Sequence, residues 1–205
     1  MLWQCPNDAV AALVLAHGAG AGMSHASMEA IATAFGKRGI ATLRFDFPYM
    51  TAGRNRVDSP AVATEAIATA FAAAAERTNL PVWLGGHSFG GRMASHAVVD
   101  RAVPAAGLIF CSFPLHPPGK PDTKRAQHLA AIGQPMLFLS GTRDELAEPK
   151  LLEPLVQSLP NATLHWLDTA DHGYRVLKRS RTRADSVFDE MAEVARAFTD
   201  AHAAG

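Results

Sequence analysis

The segment Gly86-His87-Ser88-Phe89-Gly90-Gly91 has the form G-x-S-x-G and lies between an apolar run and a helical pattern. That placement gives the spacing a physical cause. Where a chain turns sharply from strand to helix, side chains two positions either side of the turn residue collide. Gly86 and Gly90 remove the collision. The turn lifts the Ser88 hydroxyl above the sheet at the start of a helix, where free N–H groups and the helix dipole favour developing negative charge. By itself the pattern also describes a glycine-rich turn with an idle serine. Its position between strand and helix singles out Ser88 as a nucleophile.

A serine hydroxyl attacks only when a base takes its proton, and the base must be oriented by a carboxylate. Of the nine histidines, His172 stands apart because Asp168-Thr169-Ala170-Asp171-His172-Gly173-Tyr174 follows the last apolar run. For the acid, Ser140-Gly141-Thr142-Arg143-Asp144-Glu145 follows the preceding run, and Asp144 completes the chain order Ser, Asp, His. Glu145, Asp168 and Asp171 are its rivals. A tetrahedral intermediate also needs preorganised N–H donors. The loop Ala16-His17-Gly18-Ala19-Gly20-Ala21-Gly22-Met23 is small enough to approach a substrate. The expected oxyanion donors are the amides of Ala19 and Phe89, with His17 structural. That loop lacks G-x-x-x-x-G-K-[ST], and its glycines run G-x-G-x-G, which is neither a phosphate cradle nor a dinucleotide fingerprint.

These residues need a scaffold. Apolar runs at 11–16, 40–45, 82–85, 106–111, 135–139 and 162–167 end near Gly, Asp, Ser or His, as strands buried on both faces do. Helical patterns separate them at 27–37, 89–100, 124–131 and 149–158. Another starts after Ser59-Pro60, an N-cap and first-turn proline, with Val62, Ala66, Ile67, Ala70, Phe71 and Ala74 on one face. A C-terminal helix follows from Val187, Phe188, Met191, Val194, Ala195 and Phe198. Repeated strand–helix alternation predicts a parallel sheet covered on both faces, in one α/β domain over residues 1–205, with ligands bound at the carboxyl ends of the strands.

Composition narrows the partners. Nineteen basic and nineteen acidic residues cancel, which argues against a nucleic-acid footprint. The basic run Lys178-Arg179-Ser180-Arg181-Thr182-Arg183 is read as a solvated loop. No run reaches the roughly 18 apolar residues of a membrane span. The stretch 61–75 is too short and contains Glu65, and the N-terminus lacks the pattern of a secretory signal. Cys5 and Cys111 make no disulfide framework, so reduced thiols in the cytoplasm are expected.

Together, His17-Gly18-Ala19-Gly20, Gly86-His87-Ser88-Phe89-Gly90-Gly91, Gly141-Thr142-Arg143-Asp144 and Asp171-His172-Gly173 resemble the α/β-hydrolase superfamily. The chain is similar to its compact bacterial members, described as dienelactone-hydrolase-like or testis-expressed-protein-type hydrolases. The segment Phe45-Asp46-Phe47-Pro48-Tyr49 adds to the likeness, which runs from about Val10 to the final helix. The resemblance implies a three-layer α/β/α fold. The ten residues before the first strand are too few for the family's opening hairpin, so about six parallel strands are expected, ordered 4-3-5-6-7-8 by family labels. In place of a lid stands a short proline-rich loop, 112–123, implying an open site. Dienelactone hydrolases carry cysteine at the elbow and this chain carries serine, which sets that particular activity apart.

The expected activity is therefore hydrolysis of a carboxylic ester or thioester through an acyl-enzyme on Ser88, with His172 as base and Asp144 as orienting acid. No metal or organic cofactor is required, and the partner is a small acyl-containing substrate. Met23, Tyr49, Met50, Phe113 and Tyr174 are candidate pocket walls, each equally open to ordinary packing. Arg54, Arg56 and Arg92 could meet an acidic substrate group, although exposed arginines usually serve no such purpose. A hydrolase-fold domain that binds without turnover is the rival reading, and acyl transfer or peptide cleavage on the same triad a third. A binding module has no need of all three triad residues.

Overall fold

Apolar side chains on both faces of a strand require protein on both sides of the sheet, and helices supply it here. The computed structural model describes residues 1–203. In chain order they form β1 (Leu2–Gln4), β2 (Ala11–Ala16), α1 (Ala26–Lys37), β3 (Ile40–Phe45), α2 (Pro48–Thr51), α3 (Pro60–Ala75), β4 (Val82–His87), α4 (Phe89–Arg101) and β5 (Leu108–Cys111). A 3₁₀ segment (Lys124–Ala131), β6 (Met136–Gly141), α5 (Pro149–Gln157), β7 (Ala162–Leu167) and α6 (Val187–Ala201) complete the order.

The sheet runs β1-β3-β2-β4-β5-β6-β7. Strands β2 to β7 are parallel, in the expected order. Every residue of β2, β3, β5 and β6 is buried. Successive side chains along β2 serve opposite layers: Ala12, Val14 and Ala16 join a core with α3, α4 and α5, whereas Leu13 and Leu15 join one with α1 and α6. The result is a three-layer α/β/α fold. No separate lid is apparent among the described residues, and the proline-rich stretch between β5 and the 3₁₀ segment contains no helix or strand.

Four details differ from the sequence reading. The residues before Ala11 contribute a seventh strand: β1 pairs antiparallel with β3, Trp3 opposite Leu43. They form one edge strand. Residues 124–131 form a 3₁₀ helix, in which the buried Ala126 and Leu129, three apart, share a face. In α3, Ser59 has extended N-cap dihedrals but makes no side-chain capping bond. Ala63, Thr64, Ile67, Ala70 and Ala74 are buried there, while Val62 is exposed. Small residues, permitting close approach to α4, choose the face. Finally, the basic run is not simply solvated. The Arg181 side chain is buried against Glu190, and Arg183 pairs with Asp185 and Glu193.

Candidate active site

The turn after β4 takes its shape from a single neighbouring atom. A Cβ at Gly86 would lie 2.2 Å from the Ala16 carbonyl oxygen, and one at Gly90 2.4 Å from the same atom. Both glycines are therefore required by the last residue of β2, which pairs with Gly86. Between them Ser88 adopts φ 51°, ψ −113°, a conformation costing about 1–3 kcal/mol that the surrounding structure must sustain. The Ser88 amide donates to the Cys111 carbonyl at the end of β5 (3.0 Å), anchoring the turn across the sheet.

Three strand ends converge on this serine. The Ser88 hydroxyl lies 2.8 Å from His172 Nε2, and His172 Nδ1 lies 2.8 and 3.0 Å from the two carboxylate oxygens of Asp144. A carboxylate accepts, so the network places the proton on Nδ1 and leaves Nε2 to accept from Ser88. Asp144 is almost wholly buried, and its Oδ1 also accepts from the Leu146 amide (2.8 Å). The rival carboxylates are engaged differently. Asp171 Oδ1 accepts from the amides of Gly173 and Arg175, shaping the turn that carries His172. Asp168 accepts from the Thr182 amide, and Glu145 lies exposed on the cleft rim.

Composition alone does not reveal the part taken by His87. Its Nε2 donates to the His172 carbonyl (2.9 Å), and its ring lies 5.2 Å from the His172 ring. Desolvation holds its pKa down to about 4, so it remains neutral beside the histidine it supports. The available signal was its place next to Ser88.

Across the cleft, the Ala19 amide and the Phe89 amide at the start of α4 donate to no protein acceptor among the described residues. His17 Nδ1 donates to the Gly18 carbonyl (2.8 Å), and the Phe47 amide donates to His17 Nε2 (3.1 Å). Burial lowers its pKa, fitting the neutral tautomer these bonds require.

Ser88 and His172 open into a cleft of about 810 Å³, lined by Ala19, His25, Pro118, Arg143 and Arg175 among others. Of the two readings open for the candidate walls, packing is the one the structure shows. Tyr49, Phe113 and Tyr174 are buried, and Met23 and Met50 lie half-buried outside the cleft lining. Aromatic residues after strands were drawn into the core, leaving small and charged residues to face the opening. Arg54, Arg56 and Arg92 do not line it either. Arg54 pairs with Asp58 (2.7 Å), and neither Arg56 nor Arg92 lines the cleft. The arginines that do follow β6 and β7, a position legible from strand ends alone. No three His, Cys, Asp or Glu side chains converge as a metal site among the described residues.

A family model described as an alpha/beta hydrolase domain matches residues 9–200. The fold is similar to that of a dienelactone hydrolase from Anabaena variabilis, with TM-score 0.72 and 18% identity over 97% of this chain and 89% of that one. An α/β serine hydrolase without a lid from Xanthomonas campestris gives TM-score 0.69 at 19% identity, over 99% and 88%. Est1E from Butyrivibrio proteoclasticus with bound ferulic acid gives 0.70 at 15%, over 100% and 95%. At such identities the solved structures speak to the fold, whereas the family match spans nearly the whole sequence: this chain belongs to the alpha/beta hydrolase domain family.

Proposed function

We propose that the protein is a serine hydrolase of carboxylic esters or thioesters acting through an acyl-enzyme on Ser88. The carrying observation is the continuous path Asp144–His172–Ser88, each link 2.8 Å at its shortest. Ser88 Oγ attacks the acyl carbon while its proton passes to His172 Nε2. The tetrahedral oxyanion takes the amides of Ala19 and Phe89. As it collapses, the imidazolium returns the proton to the departing alkoxide or thiolate, and Asp144 stabilises its charge. Water, deprotonated by His172, then repeats the sequence on the acyl carbon and releases the acid.

A cleft with no lid and with charged groups at its rim suits a small or surface-accessible acyl group better than a long lipid chain. The ferulic acid held by the Butyrivibrio protein is a carboxylic acid, the product class such a reaction releases. No helix among the described residues is long and apolar enough to cross a membrane. Cys5 and Cys111 are unpaired, which supports a reducing, cytoplasmic setting.

A fluorophosphonate probe tests the central step. Wild type should be labelled covalently, whereas Ser88→Ala and His172→Ala should not, with all three folded by circular dichroism. Folded wild type that resists labelling would sink the catalytic reading in favour of a non-catalytic binding domain.

A further inference from the structure

We propose that the Tyr49 hydroxyl is a positioning group that aims the oxyanion donor of the loop after β2, an inference that rests on the acyl-enzyme reading above. A peptide group is planar and trans, so its C=O and its N–H point in opposite directions. The Ala19 N–H belongs to the same peptide as the Gly18 carbonyl, and whatever holds that carbonyl sets the direction of the amide. The Gly18 oxygen lies 3.3 Å from the Tyr49 hydroxyl and accepts from His17 Nδ1 at 2.8 Å. The next carbonyl, of Ala19, accepts from the Tyr49 hydroxyl at 2.9 Å. One phenol therefore spans two successive peptides of a loop rich in glycine and alanine, which has little side-chain packing of its own to fix them.

Tyr49 is in turn held firmly. It is buried, its amide donates to Asp58 Oδ2 (2.9 Å), and its ring stacks with Phe47 at an 18° interplanar angle. The same ring meets the Phe89 ring edge-on, with centroids 6.4 Å apart. It thus contacts both segments whose amides face the developing oxyanion. Burial, reinforced by the charges of Asp58 and Asp46, pushes its pKa up to about 12, so the hydroxyl keeps its proton and remains a donor. The four-residue helix α2 places this side chain, which accounts for the segment Phe45-Asp46-Phe47-Pro48-Tyr49 as part of the site's support. An oxyanion site works by being organised before the charge appears. Losing the hydroxyl releases the Ala19 carbonyl and leaves the Gly18 carbonyl held by His17 alone, which loosens the aim of the Ala19 amide.

The test is Tyr49→Phe, which removes one oxygen and keeps the ring. With p-nitrophenyl acetate as probe, kcat is expected to fall about 10- to 100-fold, below the loss of a whole oxyanion donor. KM should stay within twofold and the pH profile should keep its shape, because neither ground-state binding nor the histidine base is touched. Fluorophosphonate labelling should slow in parallel, since its phosphoryl oxygen uses the same donors. An active wild type beside a variant whose kcat lies within threefold of it overturns the proposal alone. So does a variant in which KM and the pH profile move together with kcat, the mark of a general packing defect. Wild type inert to both probes overturns the acyl-enzyme reading and this inference with it. Should Tyr49→Phe not fold, 3-fluorotyrosine in place of Tyr49 alters the hydroxyl's acidity without removing it. A kcat changed at least threefold at constant KM then supports the clamp, and an unchanged kcat overturns it.

Discussion

The carboxylate of Asp144 fixes the tautomer of His172, the proposed base. It can only accept from His172 Nδ1, so in the proposed mechanism Nε2 is left to receive the Ser88 proton. An amide in its place can donate to Nδ1 instead, moving the ring proton to the wrong nitrogen. Asp144→Asn should therefore lower kcat about 10³- to 10⁴-fold with little change in KM, measured on the same aryl ester. A loss under tenfold would mean that His172 is oriented by something else. Residue-scale chemistry was readable where a polar type followed a strand end. Ser88, Asp144 and His172 were singled out that way, and the structure brings them within hydrogen-bond reach of one another. The same rule points to Arg143 and Arg175, which follow β6 and β7 and line the cleft. Tyr49 reads in sequence equally as a pocket wall or as packing, because an aromatic side chain after a strand looks alike whether it lines a cleft or closes a core. Only the three-dimensional partners of its hydroxyl distinguish the two.

At the scale of elements, several helices and strand ends are joined through neutral histidines. His96 of α4 stacks on His128 of the 3₁₀ segment with ring centroids 3.8 Å apart, and His128 Nε2 lies 2.7 Å from Ser95 Oγ. Ser95 Oγ donates to the Arg92 carbonyl, so it accepts from the histidine. Asp100 faces His96, and Arg92 adds positive charge beside both rings. Desolvation lowers the pKa of His96, and that of His128 to about 4, as it does for His87 between β4 and the His172 loop. The unfolded chain binds these protons first as pH falls below about 6.5, so folded stability is full above that value and declines towards pH 4. His87 or His128 alone at full effect would contribute about 3 kcal/mol. Because both rings are partly exposed, the expected combined loss between pH 7 and 4.5 is roughly 3 kcal/mol. Urea unfolding across that range measures it, and His128→Gln should flatten the slope. A stability independent of pH there would show that the stacked pair is not held neutral. The elements themselves were legible in proportion to their burial. β2 and β3, apolar along most of their length, have the expected bounds, whereas β1 is three residues at an edge and α2 is one turn, too short for periodicity to register.

Taken as a whole molecule, the chain secures its last loop to its last helix, and with it the position of His172. Arg181 and Glu190 are both buried as a pair, and Glu190 Oε1 also meets His165 Nε2 at 2.8 Å on the edge strand β7. Arg181 further donates to the Asp168 carbonyl, and the Thr182 amide to the Asp168 carboxylate, four residues before His172. This connection between α6, β7 and the histidine loop was hidden in sequence, because a run of basic residues reads as solvated until its buried acid partner is found on a helix several residues away. Removing the charge at Glu190 leaves Arg181 buried without its counter-ion. Glu190→Gln should therefore lower the free energy of unfolding by about 3 kcal/mol, read by urea denaturation at pH 7. It should also raise hydrogen exchange in residues 168–182 more than in β2 or β4, whose pairing does not involve α6. Uniform loss of protection would mean that α6 supports the whole sheet equally. Selective loss would show that the position of the histidine loop depends on an ion pair remote from the nucleophile, so that changes in the C-terminal helix reach the site through the base.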